Sequence, residues 1–144
     1  MDNQELKNEQ REREYMEIAH IPSVWFNKAD SLLMCSNFLQ ETTCVDSKLE
    51  DKNPLKYRFH SIVLMLRGMA LECLLKGALI KGGTKICEGG KLKGKYRTHN
   101  LLGFTKELKM ETTKEEDRVL KYLEEWMQVA RYPISPKYDQ LDNI

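Results

Sequence analysis

The apolar positions of this chain recur at helical spacing along most of its length, and no stretch alternates convincingly enough to suggest a sheet. The dominant stretch is 59 to 80, Phe-His-Ser-Ile-Val-Leu-Met-Leu-Arg-Gly-Met-Ala-Leu-Glu-Cys-Leu-Leu-Lys-Gly-Ala-Leu-Ile, which is almost continuously apolar. It is long enough to cross a bilayer, but His60, Arg67, Glu72 and Lys76 interrupt it, and ionisable groups in lipid are costly. The pattern predicts instead the central helix of a bundle, largely surrounded by other helices. Asn53-Pro54 offers a capping side chain and then a proline at the first helical position, and Gly82-Gly83 offers the stop. The central helix is therefore expected over about 54–81, roughly 40 Å at 1.5 Å per residue.

Four further helices are expected around it. Residues 4 to 19 are rich in Glu, Gln and Arg and carry a weak stripe of Leu6, Tyr15, Met16 and Ile18, a thin buried face suited to packing on a partner. Pro22 interrupts this helix and Ser23 can cap the next, about 24 to 40, with Trp25, Ala29, Leu32, Leu33, Ser36 and Leu39 on one face. A polar connector runs from Thr42 to Lys52, and a glycine-rich loop fills 82 to 97. A fourth helix near 99 to 110 presents Leu101, Phe104, Thr105 and Leu108. Thr113-x-x-Glu116 reads as a capping box opening a fifth, to about Ala130, with Val119, Leu120, Leu123, Trp126, Met127 and Ala130 as its stripe. Pro133 and Pro136 then stop helix formation. The expectation is an all-α, antiparallel four- to five-helix bundle, divided as an amphipathic helix at 1–21, the bundle at 22–135 and a tail at 136–144.

With 144 residues the chain fits one domain able to build a core without disulfide or metal staples. Its net charge of +1 provides no whole-molecule field for nucleic acid, so any phosphate binding must come from a local patch. Cys35, Cys44, Cys73 and Cys87 form no Cys-x-x-Cys pair and no zinc spacing with histidine, so neither a metal nor a cofactor is expected. Cys35 and Cys73 fall on apolar helical faces, which predicts buried free thiols in a reducing compartment. The first residues lack the apolar core of a signal peptide, so a cytoplasmic location is expected.

Candidate chemistry gathers at the polar positions. Gly68, Glu72 and Lys76 are four residues apart and share one stripe of the central helix. Glu72 and Lys76 make either a helix-surface ion pair or a carboxylate and ammonium presented to a ligand, with Gly68 allowing a backbone or ligand to approach closely. The loop carries Lys81, Lys85, Lys91, Lys93, Lys95 and Arg97 against one acid, Glu88. It reads as a solvated loop or as a phosphate-contacting edge through Lys91, Lys93, Lys95 and Arg97, although it holds no recognised phosphate-binding glycine motif. His99, at the start of the fourth helix, reads as a capping histidine or a general acid or base. Arg131 favours a helix C-terminus, or serves as an anion fork.

Three segments together, Arg67-Gly-Met-Ala-Leu-Glu-Cys-Leu-Leu-Lys-Gly-Ala-Leu-Ile80, His99-Asn-Leu-Leu and Arg131-Tyr-Pro-Ile134, make the chain resemble the HEPN superfamily of small all-α domains over about residues 55 to 135. The resemblance implies a helical bundle, homodimerisation, and association with RNA or nucleotides. It also implies kinship with metal-independent ribonucleases of toxin–antitoxin and other defence systems, and with binding or scaffold relatives that have lost catalysis. Catalytic members carry an arginine, four to six residues and then a histidine late in the bundle. Here Arg131 is followed by Pro136, Lys137 and Tyr138 at the corresponding positions, with no histidine. Arg13 and His20 have the spacing but stand near the N-terminus.

The leading expectation is thus an RNA- or nucleotide-binding dimeric bundle lacking the usual ribonuclease centre. A divergent ribonuclease would need a base, an acid and positive charge, which His99, Lys76 and Arg131 supply if they converge, with Tyr132 stacking a base or donating a hydrogen bond. A third alternative is a non-enzymatic module whose N-terminal helix completes a protein partner's surface.

Overall fold

The computed structural model describes the backbone of residues 3–44 and 54–130 and the side chains of 4–42 and 59–130. Within it lie five helices: α1 (Asn3–Ala19), α2 (Pro22–Cys44), α3 (Pro54–Lys81), α4 (Leu101–Glu107) and α5 (Lys114–Val129). Between α3 and α4 sit two short strands, β1 (Cys87–Glu88) and β2 (Lys91–Leu92), and a 3-10 helix, Gly94–Arg97. The fold is an all-α bundle. The Asn53 cap, most of the connector to Lys52, Arg131, Tyr132 and the 136–144 tail lie outside the described residues.

The central helix follows its punctuation. α3 begins at Pro54 and stops in a left-handed glycine: Gly83 has φ +91°, its N–H donates to Ile80 and that of Thr84 donates to Leu79, both at 2.9 Å. This is the six-to-one, five-to-two closure that satisfies the last orphan carbonyls of a helix. At α5 both halves of the capping box form, Glu116 N–H to the Thr113 hydroxyl (3.2 Å) and Thr113 N–H to the Glu116 carboxylate (2.8 Å). At α2 the expected order is corrected. Pro22 does not break the chain before a Ser23 cap but occupies the first helical position itself, where a missing N–H costs nothing.

α2 and α3 run antiparallel, since Phe26 meets Gly77 near one end and Gln40 accepts from the Arg67 guanidinium toward the other. Ala29, Leu32 and Ala70 seal their seam. The larger core joins Leu75, Leu79 and Ile80 of α3 to Leu101 and Phe104 of α4 and to Leu120, Leu123 and Met127 of α5. Gly68 is buried there: a Cβ would stand 2.7 Å from Met127 Cγ and 3.3 Å from the Leu123 carbonyl oxygen, so its bare backbone is what lets α3 and α5 meet.

Three expectations about faces change. Cys35 is exposed rather than buried, because it lies with Met34 and Phe38 on the side of α2 away from Ala29 and Ser36. Val119 is 57% exposed, leaving Leu120, Leu123 and Met127 as the buried stripe of α5. On α1, Leu6, Tyr15 and Ile18 are exposed, and its contact is made by half-buried Met16 and by buried Ala19, whose carbonyl accepts from the Trp25 indole at 2.9 Å.

The glycine-rich loop is also ordered into structure, contrary to the expectation of no sheet. Gly89 and Gly90, with φ +55° and +67°, form a two-residue turn that pairs Cys87 with Leu92 and Glu88 with Lys91. Two positive-φ residues match the right-handed twist of paired strands, which makes Gly-Gly a strong hairpin signal. No helix among the described residues is long and apolar enough to cross a membrane.

Candidate functional site

His99 owes its position to the compact unit formed by the hairpin, the 3-10 helix and α4. Ile86 and Cys87 bury the base of the hairpin, and the Lys93 N–H returns to the Ile86 carbonyl at 2.9 Å. Tyr96, buried in the 3-10 helix, stacks on Phe104 of α4 with ring centroids 6.1 Å apart, and its hydroxyl donates to Glu107 at 2.6 Å. Asn100 then caps α4 by accepting from the Gly103 N–H at 2.8 Å, and the Leu102 N–H donates to Glu124 of α5 at 2.9 Å. The residue just before that cap is His99, which is thereby set against the middle of α3.

There it meets Glu72. One carboxylate oxygen of Glu72 lies 2.6 Å from His99 Nδ1, and the other accepts from Lys76 Nζ at 2.5 Å. The line runs from the interior outward, with side-chain exposures of 3% for Lys76, 14% for Glu72 and 24% for His99. The ammonium is further enclosed by the faces of Trp25 (5.8 Å to the centroid) and Phe104 (5.5 Å). A buried ammonium is tolerable only with a counter-charge and good geometry, and two π faces add cation–π attraction. Because a carboxylate can only accept, a neutral His99 ring must donate from Nδ1, which leaves the lone pair on Nε2. That is the orientation a general base or an acceptor toward a ligand requires.

The structure therefore brings together Glu72, Lys76 and His99 of the sequence candidates. Lys76, expected to touch a ligand, is instead sealed in the core and reaches the surface only through Glu72. Gly68, another ligand candidate, is taken up by α5. Arg131 and Tyr132 lie outside the described residues. The neighbouring thiol of Cys73 is pushed up first by burial and then by the Glu72 charge, while Lys76 and Lys28 oppose the shift.

The basic residues lie in the segment between α3 and His99 and at the end of α3 itself. Lys93 lies 3.9 Å from Glu88, and Lys95 pairs with Glu107 at 2.6 Å while its ammonium sits 5.5 Å from the Tyr96 ring. Lys81, Lys85, Lys91 and Arg97 are exposed, and no ion pair to them is formed among the described residues. Arg13 pairs with Glu9 along α1 at 3.6 Å, and His20 Nδ1 donates to the Met16 carbonyl at 2.7 Å, while His20 Nε2 is buried with no hydrogen-bond partner among the described residues.

The Tyr96–Glu107–Lys95 group carries a pH prediction. Burial, then the bond to Glu107, pushes the Tyr96 phenol from 10.0 up to about 12. Bonds to Lys95 and Tyr96 hold the Glu107 carboxyl below its ordinary value. A phenol that keeps its proton more tightly when folded gives stability that is complete below pH 10.0 and is lost as pH rises toward about 12. Glu107 contributes above the ordinary carboxylate value, and that contribution is lost as pH falls through its lower folded value. Urea midpoints measured against pH should fall on both limbs. Tyr96→Phe should shrink the alkaline fall and Glu107→Gln the acid one; an alkaline limb untouched by Tyr96→Phe would contradict the assignment.

Sequence reasoning pairs Glu72 with Lys76 on one helix and leaves their convergence with His99 open, because that depends on a hairpin that hydrophobic periodicity does not reveal. Comparison of the chain with protein-family models, with curated proteins and with solved structures finds no match.

Proposed function

We propose that this chain is a HEPN-like helical module that binds RNA or a nucleotide, with His99 as its ligand-facing group and Lys91, Lys93, Lys95 and Arg97 as phosphate contacts. The observation that carries the reading is the convergence of Glu72, Lys76 and His99 from separate segments, with Arg97 two residues from His99 along the chain. A net charge near zero makes a local basic edge the electrostatic means of engaging a polyanion. The chain would work as a cytoplasmic homodimer in a defence or toxin–antitoxin type system, without the usual arginine–histidine ribonuclease motif. The dimer and the system follow from the family resemblance, and the compartment from the cysteines and the N-terminal sequence.

The test is filter binding of a fluorescent single-stranded oligoribonucleotide at two salt concentrations. Affinity should fall as salt rises, and the Lys91→Glu, Arg97→Glu variant should lose about tenfold, as expected when phosphate contacts are removed. No retention of RNA at either salt would reject the reading.

The His99–Glu72 contact favours one second reading, a metal-independent ribonuclease in which His99 Nε2 takes the 2′-hydroxyl proton, the 2′-oxygen displaces the 5′-oxygen at phosphorus, water protonates that leaving oxygen, and positive charge stabilises the phosphate. It expects cleavage in the presence of a chelator that is lost in His99→Ala. RNA left intact at high protein concentration would exclude it.

A further inference from the structure

We infer that α1 is a strap over the hairpin: seated, its acidic face holds a polyanion off Lys91 and Lys93, and lifting it opens that edge. The inference rests on the reading of these lysines as phosphate contacts and adds a regulator to it.

α1 is fastened at one end. Ala19 is buried and its carbonyl accepts from the Trp25 indole, while every described side chain of the helix before Met16 is exposed. A polar helix of 17 residues with so thin a buried face is marginal in water unless something supports it. The support is the hairpin. Tyr15 reaches the thiol of Cys87, which, after burial, helps to push the phenol up. Glu12 lies across the turn: a Cβ on Gly90 would stand 3.1 Å from Glu12 Cγ and 3.5 Å from Cδ, so the bare backbone of Gly90 is what lets the helix lie down. The seat is loose, since a crevice of about 380 Å³ runs along the same face of α1, from Glu9 to Glu17, and unfilled space forfeits contacts. Gly90 is bonded directly to Lys91, so a phosphate gathered by Lys91 and Lys93 meets the Glu12 carboxylate and, behind it, a helix with more acids than bases. Like charges at that range repel, so a polyanion and a seated α1 weaken one another. Cys87, 2% exposed and in contact with Tyr15, reports whether the strap is down.

The experiment compares Gly90→Asn with Gly89→Asn in the full chain. Both positions have positive φ, which asparagine tolerates better than most residues with a side chain, but at Gly89 an added Cβ meets nothing within 4 Å. Only Gly90→Asn should lift α1. Iodoacetamide labelling of Cys87, read by peptide mass, should then be about tenfold faster than in wild type or Gly89→Asn, the size of a mild overpacking. The fluorescent oligoribonucleotide should bind about threefold tighter, the effect of withdrawing one like charge at close range in water. Glu12→Gln keeps the shape of the side chain, so it should give the tighter binding without the faster labelling and lose the gain at high salt. Glu14→Gln, on the opposite side of α1, should leave both at wild-type values. The glutamine pair also decides the matter if Gly90→Asn does not fold. Equal labelling of the two asparagine variants would overturn the inference, as would a lifted α1 with unchanged affinity, or Glu12→Gln binding no tighter than Glu14→Gln. RNA bound equally by every form sinks the strap alone, whereas RNA bound by no form sinks the functional reading together with the inference, so the two failures are distinguishable.

Discussion

Phe104→Ala should lower folding stability by about 3–5 kcal/mol, the range for removing a fully buried aromatic ring. Phe104 is 1% exposed and does three things at once. Its ring fills the core between α3, α4 and α5, stacks on Tyr96, and provides one of the two faces over Lys76. Truncation opens a cavity beside an ammonium and removes the support of the 3-10 helix that leads to His99. Urea unfolding followed by circular dichroism measures the loss, and Phe104→Leu, which retains most of the volume, should cost clearly less. A loss below about 1 kcal/mol for the alanine variant would mean that α4 is not part of the cooperative core, because surface truncations fall in that range.

Gly77→Val is the second large effect, with a sign that helix propensity alone would miss. Replacing a mid-helix glycine by a residue with a side chain gains up to roughly 1 kcal/mol. At Gly77, however, a Cβ alone would stand 2.5 Å from Cε1 and 2.8 Å from Cδ1 of the Phe26 ring. Two further methyl groups make the overlap worse, and overpacking of this kind costs about 1–3 kcal/mol or more. The ring belongs to α2 and is only half-buried, so relief comes from swinging it outward or from drawing α2 away from α3. The overlap should win, giving a net loss of stability in the same urea assay. Gly82→Ala is the control, since its nearest atoms would be at ordinary contact, 3.4 and 3.5 Å. Should Gly77→Val be as stable as the wild type, the Phe26 ring would not be held against Gly77.

The contrast between these sites reflects what one-dimensional pattern can convey. The bounds of α3 were readable because proline and a glycine pair act within a turn of their own position, and the α5 capping box for the same reason. Glu72 and Lys76 were readable as a pair because four residues bring side chains onto one face of any helix. That Lys76 would be buried was not readable, because it depends on Trp25 and Phe104, which come from two other helices. The meeting of His99 with Glu72 spans 27 residues and requires the chain to reverse twice. One reversal uses Gly89-Gly90, whose strands of two residues each are too short to show alternation. Gly68 invited a ligand reading because a bare backbone position looks the same in sequence whether a substrate or a neighbouring helix approaches it.

The ammonium held between Trp25 and Phe104 has a consequence for how this protein comes apart. Withdrawing α2 removes one ring, and withdrawing α4 removes the other along with the segment bearing His99. Either departure lets water in at the ammonium and relieves the desolvation cost that the closed bundle carries there. The attraction of the two ring faces is complete only when α2 and α4 are both seated, so a single group in mid-helix senses both of its flanks.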